Sequence, residues 1–324
     1  MSDTSIIRQP IEKELDEFIA MFRESLSHSE GMLNQALTHI LNRAGKMMRP
    51  MLVLLIAKNY SEVSDVTLNG ALGLELLHTA SLVHDDVVDE SLERRGQPSI
   101  NATYNNKVSI LVGDYILSTA LIRMAKTHNN EIVSYLAQLG RVLSQGEIDQ
   151  LSNITNQEIS EDAYFNVIRQ KTAALFAACA KIGALSANAT KEDIDDAENF
   201  GETLGLIFQI KDDIFDYYES GKIGKPTGND MIEGKLTLPA IHALLSVGDE
   251  DMMALARKVK ARTISPDEIA RLVDFTKQNN GIAYAEEKME ELKAKAQLYV
   301  KKCRDEQVKS ALNEYLNYVI ERKY

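Results

Sequence analysis

The sequence predicts an all-α protein, a helical bundle forming a single domain over residues 1–324, and three observations carry that reading. Apolar residues recur at helical spacing in block after block of the chain. Glycine and proline, which punctuate strand-rich folds, number only 17 and 6 in 324 residues. No low-complexity tract or Pro/Ser-rich linker divides the chain, so one core is the economical arrangement, and a hydrophobic content of 44% is enough to fill it.

The periodic blocks run in order over 11–27, 33–43, 50–58, 68–89, 109–126, 131–154, 161–185, 191–217, 237–246 and 266–278, giving about ten helices or more. Several boundaries have a physical cause. Pro50 suits a first helical turn, Thr190 can cap the helix that Lys191 begins, and Ser265 before Pro266 is an N-cap with proline at the first helical position. The longest piece without a period, GKIGKPTGNDMIEGK at 221–235, reads as a charged, glycine-hinged loop. The opening MSDTSIIRQP resembles neither an export signal nor a transit peptide. The longest purely apolar run, MLVLLIA at 51–57, is about a third of what a membrane span needs, so no transmembrane segment is expected. Cys179 and Cys303 match no metal or redox spacing, which favours a reducing, intracellular setting. A net charge of −12 disfavours nucleic acid or an anionic membrane as the main partner, so any anionic substrate must be held by local cations.

Against that background LVHDDVVDES, residues 82–91, puts three aspartates within five positions of an apolar block. IKDDIFDYY at 210–218 repeats the spacing 127 residues later (212 − 85), with Asp212, Asp213 and Asp216 in place of Asp85, Asp86 and Asp89. Positions i and i+4 of a helix share a face about 6 Å apart along the axis, so Asp85 pairs with Asp89 and Asp212 with Asp216. One such motif is ordinarily a solvated acidic face. Two in apolar contexts are different, because burying carboxylates without cations costs several kcal/mol apiece, about what folding can spare. Hard oxygen ligands of this kind suit Mg²⁺ together with substrate phosphates, which predicts a diphosphate bridging the two patches. Basic residues follow each patch: Arg94 and Arg95 after the first, Lys225 and Lys235 after the second, with Lys171 and Thr172 in RQKTAALF. Upstream, GKMMRP offers Lys46 and Arg49 on one side of a helical turn, placed to fork around a second diphosphate.

Taken together these blocks resemble the trans-polyprenyl diphosphate synthases. GKMMRP, ELLHTASLVHDDVVD, ERRG, GDYILS, QGEIDQL, QKTAALF, FQIKDDIFDY and GKPTGNDMIEGKLTLP follow in the expected order over about residues 40 to 245, and the helices beyond carry no motif. The resemblance implies the isoprenoid synthase fold, a helical bundle with a central cavity. It also implies head-to-tail transfer: an allylic diphosphate, farnesyl or geranylgeranyl, is extended with isopentenyl diphosphate by ionisation, condensation and elimination. By the same resemblance Asp85 and Asp89 bind two Mg²⁺ with Asp86 assisting, and Asp212 binds a third, supported by Asp213 and Asp216. Arg94, Lys171, Thr172, Gln209, Lys225 and Lys235 would hold the allylic diphosphate. Isopentenyl diphosphate would lie among Lys46, Arg49, His78 and Arg95, with no metal. A homodimer is implied as well, and a cytoplasmic location is expected. His84, next to Asp85, reads as a structural histidine rather than a ligand.

Product length follows from the face below the first motif. Short-chain members of the family place aromatic side chains four and five residues before Asp85, where this chain has Ser81 and Ala80. Small residues there predict a product longer than farnesyl, octaprenyl centrally, within roughly C30 to C50, the positions lying about 6 to 7.5 Å below the metals. Tyr135, Leu136 and Leu139 are candidates for a lower floor. The rival readings are a terpene cyclase or squalene-synthase-like enzyme, disfavoured by the absence of Trp and by 6% aromatic residues, and a catalytically silent partner subunit, disfavoured by two intact acidic motifs.

Overall fold

A computed structural model of the chain describes residues 4–42, 45–94, 96–152, 158–218 and 227–322. Its α-helices are α1 (Ser5–Arg8), α2 (Glu12–Ser25), α3 (Gly31–Leu41), α4 (Met48–Tyr60), α5 (Asp65–Val88), α6 (Ile100–Thr103), α7 (Asn106–Ala125), α8 (Asn130–Ser152) and α9 (Glu161–Ile168). They continue with α10 (Ala174–Ser186), α11 (Lys191–Phe215), α12 (Asn229–Ile232), α13 (Leu238–Val247), α14 (Glu250–Lys260), α15 (Pro266–Gln278), α16 (Gly281–Lys302) and α17 (Glu306–Glu321). Between α5 and α6 a two-stranded antiparallel ribbon pairs β1 (Glu93–Arg94) with β2 (Gln97–Pro98). The all-α expectation therefore holds.

The helix boundaries have local causes. Ser64 begins α5 with a capping box in which its side chain and that of Thr67 satisfy each other's backbone. Thr190 accepts from the Asp193 N–H at the start of α11, and Ser265 from the Glu268 N–H at the start of α15, as the sequence leads one to expect. Helix α4 starts two residues before Pro50, after Met47 in a left-handed conformation. The block at 161–185 is not one uniform helix: α9 passes into α10 through a π-helical stretch, Arg169–Ala173. Within the expected loop at 221–235, the short α12 appears, while 221–226 lie outside the described residues.

Helices α4, α5, α10 and α11 form the interior, with α7, α8, α16 and α17 packed around them. Helix α5 packs most closely on α7, and glycine also thins its contact with α8. A Cβ on Gly73 would stand 2.8 Å from Met124 Cγ and 3.6 Å from Leu136 Cδ1, and Leu77 lies against Gly140. Continuing that register brings the end of α5 beside Glu147 of α8, which sets up the site. A smaller apolar cluster under α13, α14 and α15, including Leu244, Val259 and Leu272, joins the main core through Ile159, Leu236 and Ile282. Among the described residues, two helices are long and apolar enough to cross a membrane, α5 and α7. The apolar window of α5 is 72% buried inside the molecule, that of α7 only 33%.

Candidate active site

Each aspartate of the first motif has a different environment. Asp85 sits half-buried in the last turn of α5. Burial pushes its carboxyl up to about 6, and the negative charges of Glu147 and Asp89 push the same way, against the pull of Lys171 and Arg94. Asp86 is buried and turned toward the ribbon, where Arg94 Nε donates to its Oδ1 at 2.6 Å. Asn101 donates to the Asp86 carbonyl, so Asp86 ties the following loop to the helix end. Asp89 is exposed at the C-cap.

The second motif ends α11 in a related way. Asp213 is buried, accepting from Tyr164 Oη at 2.6 Å and from Gln209 Nε2 at 2.8 Å. Burial, and then the charge of Asp230, push its carboxyl up to about 8. Gln209 accepts in turn from Thr172 Oγ1 at 2.7 Å. Thr172 and Lys171 occupy the π-helical stretch, whose extra residue per turn re-aims side chains and is frequent at functional sites. Lys171 Nζ reaches Glu147 Oε1 at 2.6 Å. The Asp216 carboxylate accepts from the backbone N–H groups of Asn229 and Asp230, anchoring α12. Asp212 is left more open, paired with Arg322 at 2.6 Å.

A cavity of about 610 Å³ lies beside the second motif, lined by Lys171, Thr172, Gln209, Asp213, Asp230 and Lys235. That volume suits a small-molecule ligand. Lys235 acts on Glu233 and Asp230 and also on Asp89, and Lys171 on Asp85, so two lysines of the cavity wall reach toward the end of α5. The donor set fits divalent cations: hard carboxylate oxygens, crowded enough that Asp85 and Asp230 both shift up to about 6, with burial the first cause in each. A carboxyl with a raised value stabilises the fold when protonated and loses that contribution as pH rises from its ordinary 3.8 to the folded value. Magnesium takes only the ionised form. The rise in melting temperature given by magnesium with inorganic pyrophosphate is therefore expected to be larger at pH 8 than at pH 5. Scanning fluorimetry at both pH values checks this, and an equal rise would refute it.

The basic residues divide into two groups. Lys46 donates to Tyr318 Oη at 2.7 Å, and the Arg49 guanidinium lies 5.6 Å from the Phe176 ring with its buried Nε unpartnered. A buried donor of that kind is costly until an anion takes it up. His78 is buried, about one α5 turn before Ser81. Arg95 and Lys225 lie outside the described residues. Of the chain-length positions, Ala80 is buried and Ser81 half-buried, its hydroxyl bonded to the His78 carbonyl. Leu136 and Leu139 are core residues. Tyr135 is turned toward α10 and α11, with its hydroxyl on Glu198 at 2.8 Å and Lys181 over its ring.

Four residues at the site carry no sequence assignment above: Glu147, Tyr164, Asp230 and Arg322. Glu147 and Asp230 stand inside QGEIDQL and GNDMIEGK, so those blocks were their signal. Tyr164 and Arg322 had none. The histidine before Asp85 is structural, as expected: His84 Nε2 lies 3.3 Å from both the Ile110 carbonyl oxygen and Asp114 Oδ1. Its ring fills a notch over Gly113, where an added Cβ would stand 2.6 Å from Cδ2 and 2.9 Å from Cε1. Gly113→Ala is expected to cost about 1–3 kcal/mol by overpacking, with His84→Ala restoring most of it in the double variant. Denaturant unfolding of the three proteins checks this.

With fold and site in view, the relatives are informative. Residues 30–276 match the polyprenyl synthetase family. The octaprenyl diphosphate synthase of Haemophilus influenzae is 33% identical over 294 residues, covering 90% of this chain and 89% of that protein. The crystal structure of a geranylgeranyl pyrophosphate synthase from Bacteroides thetaiotaomicron is 49% identical, with a TM-score of 0.86 over 98% of this chain and 99% of the other. A polyprenyl synthase from Caulobacter crescentus, complexed with calcium and isoprenyl diphosphate, superposes with a TM-score of 0.90 at 26% identity, over 99% and 98% of the two chains. The chain thus belongs to the polyprenyl synthetase family: it is a trans-polyprenyl diphosphate synthase, of the isoprenoid synthase fold, that lengthens a prenyl chain by divalent-metal-dependent prenyl transfer.

Proposed function

We propose that the chain elongates farnesyl or geranylgeranyl diphosphate with isopentenyl diphosphate to a polyprenyl product near octaprenyl, roughly C30 to C50 as the small residues at Ala80 and Ser81 allow. The supporting observation is the cavity beside the second acidic motif, whose lysines Lys171 and Lys235 act on Asp85 and Asp89 of the first. Asp85, Asp89 and Asp212 would hold three Mg²⁺, with Asp86, Asp213 and Asp216 fixing the surrounding backbone. The metals, when bound, neutralise the diphosphate as its C–O bond to the allylic carbon breaks. Arg94, Lys171, Thr172, Gln209, Lys225 and Lys235 bind the remaining oxygens. Lys46, Arg49, His78 and Arg95 hold isopentenyl diphosphate so that its terminal double bond faces the allylic carbon. A C–C bond forms there, and the proton lost from the adjacent carbon passes to the released pyrophosphate.

The purified protein with magnesium, farnesyl diphosphate and labelled isopentenyl diphosphate tests this reading, with products resolved by reversed-phase chromatography. Elongation supports it. A cyclised hydrocarbon formed without isopentenyl diphosphate would make the chain a cyclase, and no product at all would make it a silent subunit. A second reading, a product stopping at geranylgeranyl, is favoured by the 49% identity to a synthase of that name and by Leu136 closing against Gly73. The same chromatogram separates the two.

The protein is proposed to act in the cytoplasm as a homodimer. Helix α7 exposes Ile110 and Leu111 and, three turns on, Leu121 and Ile122, with Asp114 and Ser118 between them, a face a second copy would cover.

A further inference from the structure

The end of α17 reaches the second acidic motif through one side chain. Arg322 Nη2 lies 2.6 Å from Asp212 Oδ1 and donates at 2.8 Å to the Phe208 carbonyl. Its guanidinium is stacked 3.8 Å from the Phe208 ring centre and 5.6 Å from that of Phe215. Its Nε is buried without a partner. Two stacking faces and two acceptors fix the guanidinium in one place, but the unpartnered Nε leaves the arrangement short of full satisfaction. The oxygen it covers belongs to the aspartate read above as a metal ligand. On the same helix, Tyr318 carries the bond to Lys46, and Phe208 packs against Phe176, which lies under Arg49. Helix α17 thus touches both diphosphate pockets.

We propose that Arg322 is a positioning residue for Asp212: an internal cation that holds this carboxylate and competes with the divalent ion for it. The proposal depends on the reading of Asp212 as a metal ligand. A carboxylate engaged at ion-pair distance by a guanidinium is partly neutralised, so an incoming ion meets a charge of the same sign beside it. An ion bound at Asp212 would weaken its pair with Arg322, and with it the hold of the second motif on the end of α17. Arg322 is a brake on metal entry in the empty site, separate from the residues that touch the reacting atoms.

Manganese binding, read by electron paramagnetic resonance on the purified protein with inorganic pyrophosphate, tests this without turnover. Arg322→Gln is expected to bind the last ion about threefold to tenfold more tightly than the wild type, since one competing charge is removed. Arg322→Lys, which keeps the charge but loses the planar stacking, should fall between. Asp212→Asn supplies the control: unchanged manganese stoichiometry in that variant would remove the metal-ligand reading itself. If Asp212→Asn loses an ion while Arg322→Gln, folded by its melting temperature, binds manganese no more tightly than the wild type, the proposal is wrong and the reading of Asp212 stands.

Discussion

Asp85→Asn is expected to lower kcat by about 10³-fold or more, corresponding to ~4 kcal/mol of lost transition-state stabilisation, while the metal-free protein melts no lower than the wild type at pH 8. The two halves of this expectation have one cause. Asp85 is half-buried at the end of α5, its carboxyl pushed up to about 6 by burial and then by Glu147, so the ionised form is unfavourable in the empty site. The asparagine keeps the shape and removes the charge, which relieves the empty site and deprives the loaded one. A residue kept for stability would behave the opposite way, with modest loss of activity and a lower melting temperature. Strained, charge-crowded sites of this kind are where proteins give up stability for activity. Steady-state kinetics at saturating magnesium, paired with scanning fluorimetry in EDTA, gives both readouts. Activity within tenfold of the wild type would remove Asp85 from the metal set.

The contrast between Asp85 and its neighbour explains how far the sequence could be read. The D-D-x-x-D spacing announces three carboxylates per helix end, but spacing alone does not say which of them look inward. Asp86 and Asp213 are buried, bonded to Arg94 and to the Tyr164–Gln209 pair, so in each motif the second aspartate builds the frame around the first. That division depends on which partners the folded chain brings up, Arg94 eight residues on from Asp86 and Tyr164 49 residues back from Asp213, and periodicity cannot supply it. The helices around the site were legible because Ser, Thr and Pro mark their starts through local chemistry, as at Thr190 and Ser265. The π-helical stretch holding Lys171 and Thr172 was not, since its sequence is compatible with an ordinary helix and only the packing of α10 against α11 reveals the extra residue. Arg322 was silent for the same reason: α17 carries no motif, and its contact with Asp212 spans 110 residues of sequence.

Ala80→Phe is expected to shorten the product, with geranylgeranyl or farnesyl diphosphate accumulating in place of longer chains. The effect is steric. Ala80 is buried on the helix that ends in the first acidic motif, five residues or about 7.5 Å of axial rise below Asp85. A hydrocarbon growing away from the diphosphate passes that level after its first few isoprene units. A phenyl ring there adds several methylene equivalents of volume, which either blocks the path or forces neighbours aside, at about 1–3 kcal/mol. The cost is affordable in a chain of this size, but folding must be checked, and Ser81→Phe supplies a second variant at a half-buried position on the same turn. Reversed-phase chromatography of the dephosphorylated products reads the outcome directly. Shortening in either folded variant places the growing chain along α5 and leaves Leu136 and Leu139 as the lower floor. Unchanged product lengths in both would send the tail elsewhere between the helices, and the octaprenyl reading would lose its physical basis.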